Sequence, residues 1–250
     1  MEFSAETILI LLAIAAYGAG FIDSIAGGGG LITVPALILA GLPPVTALGT
    51  NKLQSLFGSG SATWAYASKG HVDLKSQAGS AILSAAGSAL GAYAATLVSS
   101  EWLRAFLPVL MIAIALYFLF KPNISDEDRV QRMAPVLFAA AIVPAIGFYD
   151  GIFGPGTGSF FMLGFVTLAG YGLLKATAHT KLLNFASNIG AFIIFAMSGA
   201  IDWKIGIVMG AAQFAGARTG AHFAMKNGSR IIKPLLVTVC LALAAKLLFT

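Results

Sequence analysis

Ten apolar stretches run along the chain, at about residues 7–26, 31–42, 45–68, 77–98 and 103–120, then at 134–153, 158–171, 176–198, 204–225 and 231–249. A helix needs about 20 residues to cross the hydrocarbon core of a bilayer, and most of these stretches reach that length. The second of each five does not: 31–42 and 158–171 are short and open on a glycine-rich break. Such a segment is either a steep short helix or the returning arm of a re-entrant hairpin. The only long polar run, Lys121 to Arg132, separates the two groups. The pattern therefore predicts a membrane repeat over 1–120, a linker over 121–132 and a second membrane repeat over 133–250.

The two groups are copies of one unit. Phe21, Asp23 and Gly27 match Phe148, Asp150 and Gly154 at a spacing of 127 residues. After a shift of two, Lys52 matches Lys181, Asp73 matches Asp202, Gly87 matches Gly216 and Gly91 matches Gly220. Alternating the loops across a membrane puts nine lysines and arginines on one side, the Lys121–Arg132 linker included, and three on the other. Basic residues are retained in the cytoplasm, so the linker is expected there, with both termini outside. The fold class predicted is an all-α polytopic membrane protein of two inverted repeats, each of about five hydrophobic segments with one short Gly-broken or re-entrant segment. A parallel duplication of four plus four would move the Lys226, Arg230 and Lys233 loop outside, which fits the rule less well. Paired Gly-interrupted segments at corresponding places mark the binding site of many secondary transporters.

Composition agrees with a membrane solvent: 58% of residues are hydrophobic and 10% charged, against roughly 45–50% and about 25% in soluble domains. The net charge of +5 does not point to nucleic acid, because the bases are scattered over short loops without a basic run or stacking aromatics. The lone cysteine, Cys240, excludes an intrachain disulfide and a multi-cysteine metal or Fe–S motif. The acidic start, Glu2 and Glu6, lacks the basic region of a signal peptide and is expected to begin the mature chain. No zinc ligand set, nucleophile–base triad or Gly-Lys-Ser/Thr phosphate loop can be assembled, so neither an enzyme nor a cofactor is expected.

Few ionisable groups remain at membrane depth: Asp23, Lys52, Asp150, His179, Lys181, Arg218 and His222. Each is costly facing lipid and by default faces a partner or a cavity. Arg218 and His222 lie near the end of their span, close enough to snorkel to the interface. Asp23 and Asp150 stand four residues before their breaks, suited either to accept freed backbone N–H groups or to carry a proton; His179 is a third candidate for proton coupling. The breaks themselves, Gly27, Gly28, Gly29 and Gly30 in one half and Gly154, Gly156, Thr157 and Ser159 in the other, either form an anion-binding nest at a helix start or merely permit a tight turn. Asn51 and Lys52 correspond to the stretch holding His179, Lys181, Asn184 and Asn188. Residues 181, 184 and 188 share a helix face, as do 51, 55 and 58, and a lysine flanked by amides suits an oxyanion. The other reading has each lysine snorkelling to the nearest interface.

Gly-Phe-Ile-Asp-Ser-Ile-Ala-Gly-Gly-Gly-Gly, Ala-Leu-Gly-Thr-Asn-Lys-Leu-Gln, Gly-Phe-Tyr-Asp-Gly-Ile-Phe-Gly-Pro-Gly-Thr-Gly-Ser-Phe and Ala-His-Thr-Lys-Leu-Leu-Asn-Phe-Ala-Ser-Asn resemble the TauE/SafE family of sulfite-exporter-like permeases, over almost the whole chain. The resemblance implies a bacterial inner-membrane, multi-pass permease for small sulfur-containing anions such as sulfite, sulfoacetate or thiosulfate. Its expected partners are a small anionic substrate and membrane lipid, with no cofactor. The rival functions are an anion channel and a non-transporting membrane assembly protein.

Overall fold

A computed structural model describes residues 4–99, 101, 127–128 and 130–228. The expected stretches 103–120 and 231–249, with Pro108 and Cys240, lie outside the described residues. So does most of the linker.

Eight helices occupy the remaining expected stretches: α1 (Ala5–Ala26), α2 (Gly30–Leu39), α3 (Pro44–Ala67), α4 (Ala78–Leu97), α5 (Pro135–Ile152), α6 (Thr157–Thr167), α7 (Leu173–Met197) and α8 (Trp203–Asn227). Their starts follow from capping chemistry. The Ser4 hydroxyl accepts the Thr7 N–H at 3.2 Å, and the Asp202 carboxylate accepts that of Ile205 at 2.9 Å. Pro44 and Pro135 open α3 and α5, where the missing N–H costs nothing. Pro144 sits inside α5, and the wider π turn Phe138–Ile142 precedes it, with Val143 N–H reaching back to the Phe138 carbonyl. Helices α1, α4, α5 and α7 are long and apolar enough to cross a membrane. Helices α3 and α8 are as long, at 24 and 25 residues, but less apolar on average. The described residues are thus all-helical apart from their connections, and the chain is a multi-pass membrane protein.

The short helices are returning arms. Helix α2, about 15 Å long, ends at Leu37–Leu39, and Leu37 is buried in one cluster with Leu12 and Ala16 of α1. In α6, Phe165 lies 5.0 Å from Phe138, ring to ring, at the start of α5. Each glycine break is thus the tip of a helical hairpin, α1–α2 in one half and α5–α6 in the other.

Helices pair across the halves. Helix α1 packs on α8 and α5 on α4; α3 packs on α8 and α7 on α4. Small residues let the backbones approach where lipid gives no hydrophobic drive for association. A Cβ on Gly216 would lie 2.0 Å from the Tyr17 carbonyl oxygen and one on Gly87 2.3 Å from that of Pro144. Those four positions correspond across the duplication. So do Ser59 and Asn188, which meet where α3 crosses α7, the Asn188 amide donating to Ser59 Oγ at 3.4 Å.

Candidate functional site

The hairpin tips meet. Gly27 adopts φ 77° and ψ 169°, a region that only glycine occupies readily. Its Cα packs against the backbone of Gly158 and Ser159 at the start of α6; a Cβ there would lie 2.4 Å from Ser159 N. The Ser159 hydroxyl donates to the Ala26 carbonyl at 3.0 Å, satisfying an end carbonyl of α1 from the opposite half.

Two buried ion pairs cross the same boundary. Lys181 Nζ on α7 lies 3.0 Å from Asp23 Oδ2 on α1 and donates also to the Asp23 backbone carbonyl. Asp23 Oδ1 accepts the Gly29 N–H at 3.0 Å, so both carboxylate oxygens are met by donors. In the mirrored position, Lys52 Nζ on α3 lies 2.8 Å from Asp150 Oδ1 on α5. That contact is close but not aligned as a hydrogen bond, and among the described residues the buried ammonium has no aligned acceptor. Asp150 Oδ2 accepts the Ser187 hydroxyl at 2.5 Å. The four charges sum to zero. Neither lysine snorkels: their exposures are 1% and 0%.

Between the tips lies a small polar cavity of about 20 Å³, room for about one water molecule. Among the expected site residues it is lined by Gly28, Gly30, Asn51, Lys52, Gly154, Gly156, Thr157, Asn184 and Asn188, and by both Asp23 and Asp150. Asn51 Oδ1 accepts the Thr33 hydroxyl at 2.6 Å and the Gln54 amide at 2.8 Å, which leaves its own N–H groups as what it offers the cavity. Gly27, Gly29, Ser159 and Lys181 stand behind the lining and hold the tips in place. Gly158, Ser55 and Gln213 line it as well. Gln213 reaches in from α8, where a Cβ on Gly20 or Gly58 would collide with it.

His179 is not with the others. It lines a separate crevice of about 260 Å³, beside the stacked rings of Phe165 and Tyr171, with Nδ1 against the Gln77 amide. Two residues before Lys181 on a helix, its side chain is turned by about 200° and faces away from the tips. Arg218 lies over the Trp64 ring at 5.7 Å, and exposed His222 contacts the Arg218 carbonyl at 2.7 Å; neither lines the cavity. Among the described residues no cluster of metal ligands occurs.

The chain matches the family described as Sulfite exporter TauE/SafE over residues 12–247. It is 61% identical over 248 residues to "Probable membrane transporter protein ORF9" of Sinorhizobium sp, covering 99% of this chain and 95% of that protein. It is 48% identical over 231 residues to "Probable membrane transporter protein YfcA" of Escherichia coli K12 (92% and 86% covered). A "Probable membrane transporter protein" of Haemophilus influenzae is 45% identical over 249 residues, covering 100% of this chain and 97% of that one. No solved structure gives a significant match. The chain belongs to the TauE/SafE family, which is a family of transporters and not of enzymes.

Proposed function

We propose that this family member is a secondary transporter of small sulfur-containing anions, such as sulfite, sulfoacetate or thiosulfate, in the bacterial inner membrane. The observation that carries the reading is the small polar cavity between the hairpin tips, lined by the buried Lys52 ammonium, whose ion-pair partner is Asp150, and by the amides of Asn51, Asn184, Asn188 and Gln213. Ammonium and amide N–H groups are donors, and a desolvated oxyanion needs donors. At about 20 Å³ the cavity is smaller than such an anion, so binding requires the tips to part. Helix pairs exchanged between matching positions of the halves support an inverted-repeat arrangement, in which rocking of one hairpin against the other opens the site to alternate sides. In this reading the linker is cytoplasmic and the termini are outside.

Proteoliposome flux tests the proposal. A carrier saturates and accelerates labelled-anion entry when unlabelled anion is inside, and its substrate raises the protein's melting temperature. Linear flux without counterflow identifies a channel, and absence of flux for every sulfur anion tried removes the transport reading.

A further inference from the structure

The two aspartates look interchangeable in the sequence, but their hydrogen-bond partners differ in kind. Resting on the reading of the cavity as an anion site, we propose that the carrier moves its anion together with one proton, and that the proton rides on Asp150 Oδ2, switched through Ser187.

The argument begins with charge. Lys52, Lys181, Asp23 and Asp150 cancel, so an anion entering this cavity meets no net positive field, and Lys52 is already held by Asp150 at 2.8 Å. A proton taken from water by Asp150 removes that competitor. Lys52 stays an ammonium and its three N–H groups turn to the anion. When the anion leaves, the proton returns to water and the ion pair closes again. Charge and protons balance at each step.

Asp23 is unsuited to the same task. Its Oδ1 faces the Gly29 N–H and its Oδ2 the Lys181 ammonium. Neither group can accept a hydrogen bond, so a proton on either oxygen would point donor at donor. Asp150 Oδ2 instead faces a hydroxyl, which both donates and accepts. Ser187 Oγ lies 2.5 Å from Asp150 Oδ2 and 3.0 Å from the Asn184 carbonyl oxygen. With Asp150 ionised, the hydroxyl proton points at the carboxylate. With Asp150 protonated, the acid donates to Ser187 Oγ and the hydroxyl turns to Asn184, over contacts already formed. The first half has no such switch, because the position matching Ser187 is Gly58.

Among the described residues the ionisable groups around Asp150 are few. They are Lys52 on α3, Asp23 on α1 across the cavity, Lys181 on α7 bound to Asp23, and the adjoining Tyr149, whose phenol donates to the Pro155 carbonyl at 2.5 Å. Helices α4, α6 and α8 bring no ionisable side chain to the cavity among the described residues.

The test uses the full chain in proteoliposomes with the membrane potential clamped at zero, and thiosulfate or sulfoacetate as probe. Sulfite is avoided because it titrates itself. A gradient of one pH unit, acid on the side of entry, is expected to accumulate the anion about tenfold, one proton per anion. Asp150→Asn is expected to lose this response while still exchanging labelled for unlabelled anion, more slowly. Ser187→Ala removes a charge-assisted donor from the carboxylate and shifts the pH midpoint of uptake upward; Ser187→Thr restores it. Wild-type flux indifferent to the pH gradient overturns the inference and leaves the anion reading standing. An unmoved midpoint in Ser187→Ala, or gradient-driven accumulation by Asp150→Asn, also overturns it. A wild-type protein that moves neither probe removes the anion reading and this inference with it.

Discussion

Lys181 and Lys52 occupy matching positions in the duplicated chain, and each reaches the aspartate of the opposite half. Their surroundings part company there. Around Lys181 and Asp23 every contact is a firm donor–acceptor pair, with a backbone N–H from Gly29 and a backbone carbonyl from Asp23 itself taking part. Around Lys52 and Asp150 the ammonium is unaligned, a hydroxyl replaces the backbone N–H, and the cavity adjoins both side chains. One pair fastens the hairpin tips and meets the cavity through Asp23 alone, whereas the other borders it with both partners. One substitution within the duplication contributes to the difference: Ser187, whose hydroxyl reaches Asp150, stands at the position that matches Gly58. A duplicated site can therefore divide structural and functional work between copies that keep the same charged residues.

The largest expected effect comes from breaking the fastener. Removing one partner of a buried ion pair leaves an uncompensated charge and costs about 3–5 kcal/mol. Lys181→Ala is expected to lose that much, read as a lowered melting temperature in detergent. The double variant Lys181→Ala with Asp23→Ala should recover part of the loss, since it strands no charge. Lys52→Gln strands Asp150 beside a cavity that admits water, and is expected to cost less. Equal losses in the two halves would end the distinction between the pairs.

Matching glycines sharpen the contrast. At Gly27 a new Cβ would meet backbone atoms of Gly158 and Ser159 at 2.4–2.6 Å, which cannot yield. At Gly154, φ 87°, the nearest atom is Lys52 Nζ at 3.2 Å, the mobile end of a side chain. Gly27→Ala combines backbone strain of about 1–3 kcal/mol with overpacking of similar size. Gly154→Ala is expected to cost about 1–2 kcal/mol and to act mainly by displacing Lys52. Thermal melting should rank Gly27→Ala well below Gly154→Ala, whereas anion binding, measured on the folded fraction, should fall in Gly154→Ala.

Binding isolates the second pair. If Lys52 donates to the anion, Lys52→Gln removes a charged hydrogen bond worth about 1.5–3 kcal/mol, or roughly 10- to 100-fold in affinity. The fold should persist. Ligand-induced stabilisation measured against anion concentration checks this, and unchanged affinity would take Lys52 out of the site.

Much of this was legible before any fold was known. The glycine clusters interrupt apolar runs, so hairpin tips or breaks were written at Gly27–Gly30 and Gly154–Gly158, and the spacing of the copies marked Asp23, Lys52, Asp150 and Lys181 together. The choice between a crossing and a returning arm was not legible, because it depends on Leu37 meeting Leu12 and Phe165 meeting Phe138, contacts that no local periodicity encodes. The ion pairs were hidden for the same reason: Lys181 and Asp23 are 158 residues apart. Gln213 lay in a run of glycine and alanine whose period spoke only of packing; its one signal was a polar amide inside an apolar span. His179 was grouped with Lys181 by nearness in sequence, although residues two apart on a helix do not share a face.

The smallest expected effect belongs to a third ion pair, which calibrates the buried two. Lys175 Nζ lies 3.0 Å from Asp128 Oδ2, with side-chain exposures of 46% and 59%. Asp128 Oδ1 also accepts the Gly172 N–H at 2.6 Å, at the residue that caps α7, so the carboxylate ties the end of the linker to a helix start. The Gly172 N–H, then Lys175, hold the Asp128 carboxyl below its usual range. A depressed carboxyl pKa contributes stability above the unfolded value of about 3.9, and the contribution disappears as pH falls through the folded pKa. Solvent screens this pair, so Asp128→Asn is expected to cost no more than about 1 kcal/mol near neutral pH. That loss should shrink in high salt, where exposed charges are screened within a few ångströms. The deficit of Lys181→Ala should not, because its charges are buried. Melting temperatures of both variants at low and high salt provide the measurement. A salt-sensitive Lys181→Ala deficit would mean that solvent reaches the fastener, and the two halves would then differ less than their hydrogen bonds imply.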